Sequence, residues 1–118
     1  MTKNMKRALT GLMLSVIGGV GMSTTVQAQD AGFHCVPAHA TDRIYVWTTP
    51  GRHAMAARGD GDTDLDFFVY DPSGVLVHED RDATDATFGV WSQTQRGAVR
   101  IDIVNLGNVS NCYTVTVR

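Results

Sequence analysis

Residues 65–78 read Leu-Asp-Phe-Phe-Val-Tyr-Asp-Pro-Ser-Gly-Val-Leu-Val-His. Leu65, Phe67 and Val69 alternate with Asp66, Phe68 and Tyr70, the two-residue period of a strand with one buried face. Asp71-Pro72-Ser73-Gly74 places Asp, Pro and Gly where a type I turn favours them. Val75 to His78 supplies the return strand, so the stretch predicts a β-hairpin.

The same pattern extends in both directions. Upstream, Ile44-Tyr-Val-Trp47 is rich in branched and aromatic residues, Pro50-Gly51 breaks it, and Arg52 to Arg58 forms a weaker second run. Downstream come Thr87 to Trp91, then Val99, Ile101 and Ile103 alternating with Arg100 and Asp102, then Tyr113, Val115 and Val117 alternating with Cys112, Thr114 and Thr116. Gln93 to Gly97 and Asn105-Leu-Gly-Asn108 are turn-like. Residues 29–118 carry no convincing 3.6-residue period. The expectation is an all-β fold: an antiparallel β-sandwich, jelly-roll-like, of about seven strands.

The chain opens differently. Lys3, Lys6 and Arg7 precede a mostly apolar stretch from Ala8 to Met22, and Val26-Gln27-Ala28 fits a small-residue cleavage site. This is the layout of a secretory signal peptide over residues 1–28. The alternative, a membrane anchor, needs a run of about 20 apolar residues, longer than this glycine-interrupted one. Residues 29–41 lack periodicity and read as an N-terminal tail, leaving 42–118 as the sandwich. The protein is therefore expected to be secreted or periplasmic, with no membrane span in the mature chain.

Residues 29–118 hold seven Arg, no Lys, eleven Asp and one Glu, a net charge of −5. Such a domain repels nucleic acid and anionic membranes. Its two cysteines, Cys35 and Cys112, suggest a disulfide in an exported chain. The alternatives are a metal site with His34 or His39, or two free thiols. If Tyr113, Val115 and Val117 point inward, Cys112 points outward. A bond to Cys35 would then tie the tail across the outside of the last strand and shield an exposed edge or face.

The densest chemistry is acidic. Asp60, Asp62, Asp64 and Asp66 recur at every second position, which in extended chain puts them on one side. Asp80, Asp82 and Asp85 follow the return strand of the hairpin, at the same end of the sandwich. Two unit charges 4 Å apart repel by about 4 kcal/mol at an effective dielectric of 20. Clustered carboxylates therefore favour a hard cation such as calcium, which takes six to eight oxygens. The other reading is a solvated loop whose Asp residues cap turns.

The run Gly59-Asp-Gly-Asp-Thr-Asp-Leu-Asp66, the apolar Phe67 to Tyr70, Asp71, Gly74, the Asp80–Asp85 loop, Asn105-Leu-Gly and the Asn111–Val117 strand together resemble the bacterial pre-peptidase C-terminal domain. The resemblance spans about residues 40–118. It implies a small β-sandwich that accompanies secreted proteases. In the related collagenase collagen-binding domains it implies calcium that orders a segment and a docking role on protein. The 118 residues contain no peptidase, so a role as a processed tail does not carry over.

Other signals are weaker. Arg58-Gly-Asp60 spells an adhesion tripeptide, but it forms the entry to the acidic loop. Asn108-Val-Ser110 is a glycosylation sequon that matters only in a eukaryotic secretory route. His53 and His78 alternate with apolar neighbours and read as solvent-facing. Ser92, His78 and an Asp have no nucleophile-elbow context, so the protein is read as a non-enzyme. Most aromatics are expected in the core. Phe68 and Tyr70, opposite the apolar face of their strand, either form a ligand face or lie under a loop; the second reading is favoured.

Three functions follow. The first is an exported non-catalytic module, stabilised by calcium, that binds a protein or polysaccharide outside the cytoplasm. The second is a structural or chaperone-like accessory of a secreted hydrolase. The third is a secreted enzyme inhibitor. Exposed aromatics on one sheet face favour the first.

A calcium site would make stability depend on the ion. At 100 times its dissociation constant a ligand adds about 2.7 kcal/mol. Calcium is thus expected to raise the unfolding midpoint over that in chelator, and Asp64→Ala or Asp66→Ala to abolish the increment. Unchanged calcium binding in both variants removes the assignment.

Overall fold

The computed structural model describes residues 29–118; the signal peptide expected over 1–28 lies outside the described residues. The described chain forms eight strands and no helix. They are β1 (Gln29–Val36), β2 (Thr41–Thr48), β3 (Gly51–Arg58), β4 (Leu65–Tyr70), β5 (Leu76–Asp80), β6 (Ala86–Gln93), β7 (Gly97–Asn105) and β8 (Asn111–Val117).

The hairpin of residues 65–78 forms as the alternation requires. Gly74 N–H donates to Asp71 O at 2.9 Å, and Asp71 Oδ1 accepts from Ser73 N, Ser73 Oγ and Val75 N. Gly74 has φ +88°, a conformation that a side chain disfavours. Hydrogen bonds from Ser73, Val75 and Gly74 outweigh burial and hold the Asp71 carboxyl below its ordinary pKa.

Outside this hairpin the chain pairs with its own reverse. β4 lies antiparallel to β5, β3 to β6, β2 to β7 and β1 to β8. Two further pairings, β3 with β8 and β4 with β7, roll this long ribbon into two sheets. Sheet A has the order β1-β8-β3-β6 and sheet B the order β2-β7-β4-β5. This is an eight-stranded jelly roll.

The inner faces meet in one core. Phe67, Val69, Leu65, Ile101, Ile103 and Val99 come from sheet B, and Met55, Trp91, Tyr113, Val115 and Val117 from sheet A, all at 6% exposure or less. Tyr113 Oη donates to Asp42 Oδ2 at 2.9 Å, linking β8 of one sheet to β2 of the other. Burial, with Asp42, pushes the Tyr113 phenol far above its ordinary value.

The eighth strand is the difference from sequence. Residues 29–36 are not a tail: β1 pairs along β8 from Gln29↔Val117 to Val36↔Asn111. A bulge between Asp30 and Gly32 breaks the alternation that would have marked it as a strand. Cys35 and Cys112 sit opposite each other in this pairing and are joined by a disulfide. Cys35 is exposed and its neighbour Val36 buried, so the bond lies on the outer face.

The bond closes a separation of 77 residues. Replacing both cysteines by serine is expected to lower the unfolding free energy by about 4–5 kcal/mol on the chain-entropy estimate. Urea denaturation measures it; a loss below about 1 kcal/mol would mean that strand pairing alone holds the ends together.

Candidate functional site

Four connections gather at one end of the sandwich: residues 37–40, 59–64, 81–85 and 106–110. Gly59 N donates to Asp85 O, Leu65 N to Thr84 O, Leu106 N to Asp64 O and His39 N to Gly107 O, at 2.8–3.2 Å. All seven acidic residues singled out in the sequence lie in or beside these loops.

Most of the seven cap backbone. Asp60 Oδ2 accepts from Cys112 N at 2.9 Å and Oδ1 from Asp62 N at 3.0 Å. The Cys112 bond chiefly lowers the Asp60 pKa. Asp80 Oδ1 accepts from Asp82 N, and Asp82 Oδ1 from Thr84 Oγ1 and N, which lowers the Asp82 pKa. Asp85 Oδ2 accepts from Gly61 N at 2.6 Å and from Asn111 Nδ2 at 3.1 Å. A side chain on Gly59 would run into Asp85 and Asn111, so the close approach requires glycine there. Asp62 is exposed at the loop tip.

Two residues hold this end rigid, and the sequence reading passed over both as site residues. Asn105 is 1% exposed. Its Nδ2 donates to Val36 O, Pro37 O and Val109 O, and its Oδ1 accepts from Thr63 Oγ1 and Gly107 N. Asn111, fully buried, accepts from Asp60 N and donates to Thr63 O, Thr63 Oγ1 and Asp85 Oδ2. The readable signal was parity. Asn105 continues the inward series Val99, Ile101, Ile103, and Asn111 begins the inward series Tyr113, Val115, Val117.

Calcium ligation has to be judged against this network. Residues 59–64 bend instead of extending, so two-residue alternation does not align their carboxylates with Asp66. Among the described residues no three His, Cys, Asp or Glu side chains gather as a metal-holding group. Two oxygens are nonetheless left over: Asp64 Oδ1 and Asp66 Oδ1 are buried without a hydrogen-bond partner. Asp66 is 8% exposed. Burial, then Asp64, Asp80 and Asp82, raise its pKa against the opposing pull of Arg81.

The outer face of sheet B is the second candidate. Trp47 is 61% exposed and Tyr45 62%, both on the edge strand β2. Tyr45 pairs across to Arg100 and Arg100 to Tyr70; Arg43 pairs to Asp102 and Asp102 to Phe68. Arg43 Nε donates to Asp102 Oδ1 at 2.9 Å, and this bond is the main cause of the raised Arg43 pKa. The Arg100 guanidinium lies 4.0 Å over the Tyr70 ring and that of Arg81 4.9 Å over Phe68. Phe68 and Tyr70 are thus half-buried under arginines: Phe68 under Arg81 of the 81–85 loop, as expected, and Tyr70 under Arg100 of the neighbouring strand β7. With Tyr45 and Trp47 they form an aromatic and guanidinium surface. Core filling claims Trp91 and Tyr113 among the large rings, but not Tyr45 or Trp47.

His53 and His78, expected to face solvent, are both half-buried. His78 is half-buried against Gly89, with Nε2 2.9 Å from Thr87 Oγ1. His53 Nε2 bonds to Thr49 O at 2.6 Å. Ser92 is exposed on the outer face of sheet A, away from the inward side on which His78 meets Gly89, so Ser92 and His78 do not pair.

No family model matches the chain, and no curated protein does. Among solved structures it is similar to the crystal structure of Aeromonas hydrophila PliG, a periplasmic lysozyme inhibitor of g-type lysozyme. The TM-score is 0.53 at 14% identity, over 84% of this chain and 93% of that one. At that identity the likeness is one of fold.

The Asp66 carboxyl generates a pH prediction. With its native pKa above the ordinary 3.8, the folded state holds the proton more tightly than the unfolded state. Its contribution is therefore full below the unfolded pKa and is lost as pH rises through the native pKa. Asp66→Asn is expected to raise the melting temperature at pH 7 in chelator and to change it little at pH 3. Calorimetry at the two pH values checks this.

Proposed function

We propose that this protein is an exported, non-catalytic inhibitor that binds a lysozyme-type glycosidase through the outer face of sheet B. The observation that carries the reading is the exposed Trp47–Tyr45 pair beside Arg43 and Arg100. Trp, Tyr and Arg dominate the energetics of protein interfaces. Here they stand on a rigid sheet, so little ordering cost accompanies binding.

Three further observations support it. The fold is shared with a periplasmic inhibitor of g-type lysozyme over most of both chains. The Cys35–Cys112 disulfide suits an oxidising compartment. The charge of −5 over residues 29–118 steers a cationic enzyme toward the molecule. In this reading the expected binding module and the inhibitor are one, with an enzyme as the partner. Calcium enters this reading only as a stabiliser, held by the spare oxygens of Asp64 and Asp66 with loop carbonyls.

The test is inhibition of cell-wall lysis by purified lysozymes of the g, c and i types. At least one is expected to be inhibited, with Trp47→Ala or Tyr45→Ala weakening inhibition by about tenfold or more. Absence of inhibition in all three sinks the proposal. Loss on Asp62→Asn and Asp82→Asn, with Trp47→Ala unaffected, would move the site to the acidic end.

A further inference from the structure

The outer face of sheet A has a different chemistry. Strand register sets two rows across it. Phe33 pairs to Thr114, Thr114 to Arg58 and Arg58 to Ala86; alongside, Thr116 pairs to Ala56 and Ala56 to Phe88. Phe33, on edge strand β1, is 69% exposed, and Phe88, on the opposite edge strand β6, is 67% exposed. Between them the side chains are small except for Arg58. A shallow, open trough of about 520 Å³ lies beside Phe88, over Ala56, Ala86, Thr114 and Thr116, with Arg58 and Asp80 also lining it; Phe33 stands beyond it, next to Thr114 on edge strand β1. Three interstrand steps separate the two rings, about 14 Å.

Two large exposed rings on a surface otherwise of small side chains and Arg58 are not required by the core, which lies on the other side of the sheet. Arg58 has no ion-pair partner among the described residues. Asp80 supplies an acceptor at the rim.

We propose that this trough binds a neutral oligosaccharide laid across the four strands. The committed main chain excludes an added peptide strand, and the polar side chains suit a sugar. Main-chain groups inside a sheet are committed to their neighbours, so a peptide on this face finds no backbone ladder; strand addition needs an edge. A pyranose chain brings its own hydroxyls, which Thr114, Thr116, Arg58 and Asp80 can meet with both donors and acceptors. Its apolar C–H faces stack on the Phe88 ring, and a chain long enough to cross Thr114 reaches Phe33 on the edge strand. A polyanionic glycan is disfavoured by Asp80 and by the net charge of −5.

The site is independent of the enzyme-binding face of sheet B. An inhibitor with a saccharide-binding back would be retained at the polymer that its target enzyme attacks.

Cellotetraose and tetra-N-acetylchitotetraose, titrated at millimolar concentration into the oxidised protein and followed by amide chemical shifts, test this. At least one is expected to give saturable shifts centred on residues 56–58, 86–88 and 114–116. Phe88→Ala and Arg58→Ala, both at exposed positions outside the core, are expected to weaken that binding about tenfold or more. Trp47→Ala should leave it unchanged, and Phe88→Ala should leave enzyme inhibition unchanged, so either reading can fail alone. The proposal is overturned if neither saccharide gives saturable shifts, if the shifts map to sheet B, or if Phe88→Ala binds as the wild type does.

Discussion

Everything in this molecule depends on the chain pairing with its own reverse. Among the described residues, the Asp71–Gly74 turn is the one place where consecutive strands are also hydrogen-bonded neighbours. Each pairing beyond it joins residues farther apart in sequence, until β1 meets β8. A slip of one residue at the turn would carry Phe67 and Val69 from the core to solvent and misalign every later pair. The three hydrogen bonds accepted by Asp71 and the left-handed Gly74 guard against that slip. Rolling the ribbon then produces both sheets together, because β3–β8 and β4–β7 are formed by strands already paired on their other side.

Alternation made the strands legible but not their order. Val99, Ile101 and Ile103, or Tyr113, Val115 and Val117, announce a buried face from sequence alone. Gln29–Val36 did not, because its bulge at Gly32 disrupts the period and its stability comes from a strand at the other end of the chain. The acidic loops were visible as composition and as one end of the fold. Their use was not, since Asp60 reaches Cys112 N and Asp85 reaches Asn111 only through long-range pairing. Asn105 and Asn111 were within reach of parity, as polar residues in inward series. Tyr45 and Trp47 are outward by the same rule, since Val46 and Thr48 are inward, but aromatic character alone argued for the core.

The jelly roll frees its outer faces from structural duty. The core consumes one side of each sheet, so the other side can diverge in chemistry at little cost to stability. Sheet B carries rings and guanidinium groups in contact, with Asp102 joining Arg43 and lying near Arg100. Sheet A carries small side chains and Arg58 between two isolated phenylalanines. The two faces thus offer a partner different chemistry. The acidic end, locked by two buried asparagines, stands between them as a rigid rim.

The disulfide also decides how the molecule bears force. Cys35 and Cys112 sit near the two ends of the described chain, in adjacent strands. A pull applied at those ends passes through the covalent bond and leaves the intervening residues slack. Six of the eight strands, β2 to β7, lie wholly within that sheltered loop, including those that carry Trp47 and Tyr45. Tension could peel short stretches of β1 and β8 while the core stayed closed. The oxidised form thus keeps its core, and the outer faces of β2 to β7, insulated from a pull at either end.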